Sequence, residues 1–305
     1  MSLKSDALDS GLINKMTFIC MAGGMIHSIT REDVDTIIDF IRDVVNGTGC
    51  NGLVVGASGG LDSAVTTKLC ADAIGPENIL NIFMPSANTP SEDRILTERL
   101  SKRWGTGYEV IGIQAAVGAF TRMIVSDPKA AMSKYQRDTI LREEVSSDGV
   151  PVGIGNISAR CRMTILYNRA RTLNYLVAGT SNRSEYMMGY FTKFGDGASD
   201  LAPIIGLYKT QVRQMAEMIS VPREVIEKVP TAGLWEGQTD EGEMGITYHD
   251  LDIVLNGIAF GLSDSEILKN VKAGTSKILE IRQRVAEMEH KRDATRRPDI
   301  IFNEP

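Results

Sequence analysis

The 305-residue sequence has only three histidines, His27, His249 and His290, and no two stand at the spacing of a metal-ligand pair. That scarcity excludes a zinc site built on histidine. The four cysteines, Cys20, Cys50, Cys70 and Cys161, are scattered with no CxxC pair. This excludes a zinc knuckle or a thioredoxin-like motif and leaves free thiols in a reducing compartment. Basic residues are not in excess: 33 Lys and Arg stand against 39 Asp and Glu, a net charge of −6, which argues against broad nucleic-acid binding. No apolar run approaches the ~18 residues needed to span a bilayer. The stretch MTFICMAGGM at 16–25 has too thin a positive flank for a signal core. The expectation is a cytoplasmic protein that engages neither membrane nor nucleic acid. Residues 1–25 read as a leader or flexible arm, and 26–305 as one domain, whose 43% hydrophobic content suffices for a large core.

What is present is a rhythm. Residues 30–45 read as a helix capped by Thr30, with Val34, Ile37, Ile38 and Ile41 at helical spacing. Residues 53–55 read as a buried strand, 61–74 as a helix and 78–84 as a second strand ending at Pro85. A helix capped by Ser91 follows over 91–104, then a strand from Tyr108 and a helix over 115–124. The polar stretch 127–155 gives no clear element. A long helix is expected over 158–174, a strand over 175–180, a loop over 192–203 and a helix over 208–220. The last third reads as helices over 247–256, 263–271 and 276–290. Alternating strands and helices predict an α/β fold: a Rossmann-like parallel sheet with helices on both faces and a helical C-terminal portion. Pockets in such sheets open at the carboxyl ends of the strands.

One such end carries the chemistry. In LVVGASGGLDSAV at 53–65, a strand feeds a glycine turn and then a helix, so free backbone N–H groups and the helix dipole face whatever sits there. Phosphate is the natural ligand. The Walker pattern fails, because no lysine lies between Gly56 and Ser63, and G-A-S-G-G-L does not match GxGxxG. Asp62 is the informative residue. A carboxylate beside a phosphate repels it unless a divalent cation sits between, so Asp62 implies Mg²⁺ bridging to a polyphosphate.

SGGLDS resembles the pyrophosphate loop of the N-type ATP pyrophosphatases. Further segments are similar, in order and spacing, to the ammonia-dependent NAD synthetases: ISARCRMTILYNRA at 157–170, AGTSNRSEYMMGYFTKFGDGASDLAPI at 178–204, LYKTQVRQMA at 207–216, VPTAGLWEGQTDEGEMG at 229–245 and EHKR at 289–292. The resemblance implies that ATP, the co-substrate, is held by Gly56, Ala57, Ser58, Gly59, Gly60, Leu61, Asp62, Ser63, Thr180, Lys209 and Thr231. It assigns Mg²⁺ to Asp62 and Glu185. It assigns deamido-NAD to Arg160, Lys193, Asp200, His290 and Lys291, and gives Ser58, Lys209 and Asp196 the catalytic work, Asp196 by holding ammonium or taking its proton. Physical sense accompanies several of these. Arg160 and Arg162 fall in the first turn of the helix expected at 158–174, where the dipole disfavours cations unless an anion is bound, and Lys209 sits likewise at a helix start. Each has a plainer reading too: Asp196-Gly197 makes a turn unaided, and His290 and Lys291 at a helix end would complement its dipole.

The implied reaction is the adenylylation of the nicotinate carboxylate of deamido-NAD by Mg-ATP, followed by attack of ammonia, yielding NAD, AMP and pyrophosphate. Glutamine-using relatives carry an N-terminal nitrilase-like domain. About 30 residues precede the first expected helix here, less than a domain's length, so free ammonia, or ammonia from a separate glutaminase, is expected. A homodimer is implied as well. Two rivals remain at this stage. A tRNA- or GMP-directed pyrophosphatase would want a basic surface with zinc-type cysteines or a dimerisation domain. A non-catalytic nucleotide sensor would not need Asp62, Glu185 and Lys209 together.

Overall fold

The computed structural model describes residues 26–87, 89–126, 152–230 and 239–293. The 1–25 arm, most of the polar 127–155 stretch and Thr231 lie outside the described residues.

Helix α1 (Arg31–Thr48) starts at Thr30, whose side chain accepts from the Asp33 backbone while Asp33 reaches back, a reciprocal capping box. Then come β1 (Gly52–Gly56), α2 (Leu61–Ile74), β2 (Ile79–Phe83), α3 (Ser91–Trp104), β3 (Gly107–Val110) and α4 (Gln114–Ser126). Ser91 is the first helical residue of α3 and Pro90 holds the cap position, so the expected serine cap is displaced by one residue. Helix α5 (Val152–Leu173) precedes β4 (Tyr175–Ala178) and the short α6 (Arg183–Met188). It begins well before residue 158. Gly153, Gly155 and Asn156 look like breakers locally, but Ile154 and Ile157 pack into the core beneath the sheet, and packing overrides propensity. Arg160 and Arg162 are therefore inside a helix and not in its first turn, and the dipole argument for them falls.

The C-terminal part holds α7 (Lys209–Met218), α8 (Arg223–Ile226), α9 (Asp240–Met244), α10 (Tyr248–Ala259), α11 (Asp264–Ile267), α12 (Thr275–Glu287) and α13 (Glu289–Arg292). The helix expected over 263–271 is α11 plus a 3-10 turn, and the one expected over 276–290 breaks at Met288, leaving His290 and Lys291 in α13. Among the described residues no helix is long and apolar enough to cross a membrane.

The four strands among the described residues are all parallel, in the order β3-β2-β1-β4, with Leu53 opposite Ile79 on one side and Leu176 on the other. Side chains alternate across the sheet. Leu53 and Val55 join one core cluster with Ile41, Leu69, Val212 and Met215, while Val54 joins another with Ile82, Val177 and Leu166. Helices thus cover both faces, as the sequence pattern predicts. A third cluster, around Tyr208, Leu251, Leu255, Ile267 and Ile278, builds the C-terminal portion. Asn81, buried in β2, accepts from Thr67 at 2.8 Å and donates to Ser101 at 3.0 Å and Thr106 at 2.9 Å. Its amide is satisfied, so it ties α2 and α3 to the strand without the cost of an unpaired polar group. The strand order reverses between β1 and β4, and the crevice at their carboxyl ends is where ligands bind in such sheets.

Candidate functional site

The loop after β1 is closed by its own serines. Ser58 Oγ and Ser63 Oγ are 3.2 Å apart, the Ser58 N–H donates to Ser63 Oγ at 3.3 Å, and Ser63 Oγ donates to the Gly60 carbonyl at 3.1 Å. The Gly60 N–H donates to Ser58 Oγ at 3.2 Å, and the Ala57 N–H to the Ile82 carbonyl at 3.0 Å, which anchors the loop to β2. Gly59 has φ 79°, and a Cβ there would lie 3.2 Å from Asp93, so glycine is required. Gly60 caps α2 without a side chain, leaving the first-turn amides of Leu61, Asp62 and Ser63 with no intrahelical acceptor and facing the crevice. Lys228 clasps the loop from behind: it donates to the Gly59 carbonyl at 3.2 Å and pairs with Asp93.

The end of β4 supplies the second wall. Thr180 follows it, half-buried. Asn182, fully buried, caps α6: its Oδ1 accepts the Glu185 N–H at 3.0 Å, and Glu185 Oε2 accepts the Asn182 N–H at 3.3 Å. The Asn182 amide also donates to Asp62 Oδ1 at 3.1 Å, which joins the two loops. The N-x-x-E spacing of 182–185 was legible as a capping box; the bond to Asp62 was not.

Lys209, the first residue of α7, is 4% exposed. Its ammonium pairs with Asp62, lies 3.6 Å from Glu185 and stands 5.3 Å over the Tyr248 ring. Burial pulls the ammonium down, but Asp62 and Glu185 outweigh it and hold it above its usual range. Burial pushes the Glu185 carboxyl up, the Asp62 charge adds to this, and Lys209 only partly opposes it. Asp240 is also buried and pushed up by burial; Tyr248 donates to its Oδ2 at 2.9 Å, and its Oδ1 has no hydrogen-bond partner among the described residues. Neither Asp240 nor Tyr248 carries a local motif that would have announced it. Among the described residues no three His, Cys, Asp or Glu side chains are arranged to hold a metal. Asp62 and Glu185 nevertheless fit Mg²⁺, which uses hard oxygen donors and is usually held by one or two carboxylates, with phosphates and water completing the shell.

Beyond β4 lies a cavity of about 400 Å³ lined by Tyr167, Tyr186, Phe191, Lys193, Phe194 and Lys291 among others. Arg160 donates to the Lys193 carbonyl at 3.3 Å, Lys193 Nζ reaches the His290 carbonyl, and Lys291 Nζ donates to the Gly189 and Phe191 carbonyls at 2.7 and 2.9 Å. Four of the residues expected to bind deamido-NAD thus meet, although three separate segments carry them. Asp200, the fifth, turns one carboxylate oxygen onto the Val177 N–H at 2.8 Å, at the edge of β4. Its charge, after burial, raises the Tyr167 phenol to about 12. Asp196 is exposed, and its Oδ1 accepts the Thr192 N–H at 2.9 Å. It closes a turn, and desolvation pushes its carboxyl above the usual carboxylate range against the hydrogen bonds from Thr192. Arg162 is pinned to the Met84 carbonyl at 3.1 Å.

A doubly wound parallel sheet with a glycine anion loop and an acid–lysine–acid cluster at its switch point defines a nucleotide-binding α/β protein of Rossmann-like class. The NAD synthase family matches residues 33–295. The NH3-dependent NAD(+) synthetase of Pyrococcus horikoshii is 41% identical over 263 residues, 85% of this chain and 93% of the relative. Among solved structures, an NMN synthetase from Francisella tularensis aligns with a TM-score of 0.72 and 33% identity, over 88% of this chain and 98% of that one. An NH3-dependent NAD synthetase from Campylobacter jejuni, in complex with nitrate, aligns with a TM-score of 0.66 and 26% identity, covering 89% and 98%. The chain belongs to the NAD synthase family.

Proposed function

We propose that this chain is a ligase that amidates deamido-NAD to NAD with ammonia, consuming ATP and releasing AMP and pyrophosphate. The observation that carries the reading is Lys209, buried between Asp62 and Glu185 beside the Ser58–Ser63 loop, in a crevice that adjoins the Lys193–Lys291 cavity. The nicotinate carboxylate attacks the α-phosphorus, and the loop amides take the leaving pyrophosphate. Lys209 offsets the charge that develops on the phosphoryl oxygens. Ammonia then attacks the carbonyl of the NAD-adenylate and AMP departs. Thr180 and Thr231 complete the ATP contacts; Arg160, Lys193, Asp200, His290 and Lys291 orient the dinucleotide; Asp196 attracts ammonium. Mg²⁺, when bound, would be held by Asp62 and Glu185 and would neutralise the phosphate charge. No protein nucleophile is required: positioning and charge supply the acceleration. Burial holds the Cys70 and Cys161 thiols above their ordinary range, which disfavours the thiolate. A homodimer, a cytoplasmic location, a single catalytic unit after residue 25 and a separate source of ammonia complete the proposal.

The test is product analysis with ATP, Mg²⁺ and deamido-NAD, with ammonium or glutamine as nitrogen source. NAD, AMP and pyrophosphate in equal amounts with ammonium, and none with glutamine, are expected. ADP release, or no turnover, overturns the reading. The Francisella likeness favours a second acceptor, nicotinate mononucleotide. If that compound alone is amidated, the dinucleotide assignment falls while the chemistry stands.

A further inference from the structure

Asp252 sits on α10, outside the crevice, and is fully buried. Its neighbours Leu251 and Leu255 are core residues of the C-terminal cluster, where a carboxylate is out of place unless it is satisfied. It is satisfied by two other segments. Oδ1 accepts from Ser184 Oγ at 2.5 Å; Oδ2 accepts from the Thr210 N–H at 2.9 Å and from Thr210 Oγ1 at 2.8 Å. The Ser184 hydroxyl, while donating to Asp252, accepts the Lys209 N–H at 2.9 Å. Ser184 immediately precedes Glu185, and Thr210 immediately follows Lys209. A single buried acid therefore holds both neighbours of the cluster and, through one hydroxyl, the Lys209 backbone itself.

We propose that Asp252 is a positioning residue for the site: it locks the start of α6 to the start of α7 and so fixes Glu185 against Lys209. The proposal rests on the reading of Glu185 and Lys209 as metal and phosphate contacts. Three features favour it over a purely structural role. The start of α7 already has a local bond, from the Tyr208 N–H to Gln211 Oε1 at 2.9 Å, yet its Thr210 N–H is met by an acid from another helix. Both carboxylate oxygens are used, one for each segment, so the side chain sets a distance and does more than fill space. The third member of the cluster, Asp62, takes a bond at 3.1 Å from Asn182, the cap of α6, so the helix start that Asp252 braces carries Asp62 as well as Glu185. Groups that orient metal ligands from behind are worth about 10- to 100-fold in metal affinity or activity.

Asp252→Asn tests this. The amide keeps one acceptor for Thr210 but turns an NH2 toward Ser184, whose hydroxyl then has no acceptor. Mn²⁺ is titrated by electron paramagnetic resonance in the presence of ATP and without dinucleotide, so that no turnover occurs. The variant is expected to bind Mn²⁺ about 10- to 100-fold more weakly and to lose kcat by a similar factor. KM for deamido-NAD should not change, because Asp252 does not touch the Lys193–Lys291 cavity. Wild-type Mn²⁺ affinity and kcat in a folded variant, whatever its melting temperature, overturn the proposal. If Asp252→Asn does not fold, Ser184→Ala decides: weakened Mn²⁺ binding supports the proposal and wild-type binding overturns it. If the wild-type protein makes no NAD yet binds Mn²⁺ with ATP, the activity reading fails while the Mn²⁺ comparison still settles the role of Asp252. Absence of Mn²⁺ binding by the wild type overturns both.

Discussion

Lys209 and Asp62, 147 residues apart in sequence, form a buried ion pair, and the same ammonium lies 3.6 Å from Glu185. The lysine bridges the two carboxylates proposed to hold Mg²⁺. On that proposal phosphate would offer the ammonium another partner, and nucleotide and metal binding would be coupled through its displacement.

Lys209→Met therefore has two opposed effects. Freed of the ammonium, the acid pair should bind Mn²⁺ without nucleotide at least about tenfold more tightly, or roughly 1.4 kcal/mol. NAD formation should fall by about 10²- to 10³-fold, as when a group that stabilises transition-state charge is removed. Removing one partner of a buried pair typically destabilises by about 3–5 kcal/mol, and Mn²⁺ should restore part of that in a melting experiment. Isothermal titration with Mn²⁺ alone is the decisive measurement: affinity equal to or below wild type would mean that the ammonium does not compete.

Gly59→Ala places a Cβ at φ 79°, 3.2 Å from Asp93. A left-handed residue with a side chain costs about 1–2 kcal/mol, and Asp93 also anchors Lys228 to the loop. Urea denaturation should register that loss, and KM for ATP should rise more than KM for deamido-NAD. Unaltered stability and ATP affinity would refute the strained-loop account.

Asp252 also makes stability depend on pH. Burial raises its carboxyl to about 6, against the hydrogen bonds from Ser184 and Thr210, while the unfolded value is near 3.9. Between those values the folded state binds more protons than the unfolded chain, so stability falls as pH rises through the window. The full difference is about 3 kcal/mol. Asp252→Asn lacks this titration. The stability of wild type relative to the variant should therefore decrease from pH 4.5 to pH 7.5, measured by denaturant unfolding at each pH. A difference that stays constant or grows would contradict the assignment.

Asp196 offers a separation of roles. Its Oδ1 closes the turn at Thr192, and Asp196→Asn keeps an acceptor there while Asp196→Ala does not. If the charge attracts ammonium, both variants should raise the ammonium KM with little change in KM for ATP. If only Asp196→Ala is impaired, the residue serves the turn and the proposed ammonium role is wrong.

Much of this architecture was legible locally. The Thr30 cap, the 61–74 helix and the strand–glycine–helix junction of 53–63 are signals carried within a few residues, and each lies where the sequence places it. Long-range packing moved the rest. Ile154 and Ile157 drew Gly153 and Gly155 into α5, and that removed the reason for reading Arg160 and Arg162 as dipole-strained.

By itself the sequence determined the alternating parallel sheet, the amide-lined loop and the acid beside it, because propensity, periodicity and capping act over one or two turns of chain. Only the tertiary structure decided that Lys209 would settle between Asp62 and Glu185, that Asn182 would hold Asp62 and that Asp252 would brace both helix starts. Pairings of buried charge depend on which strand ends meet at the switch point and on which groups the core forces out of water together, and no short window of sequence contains that information.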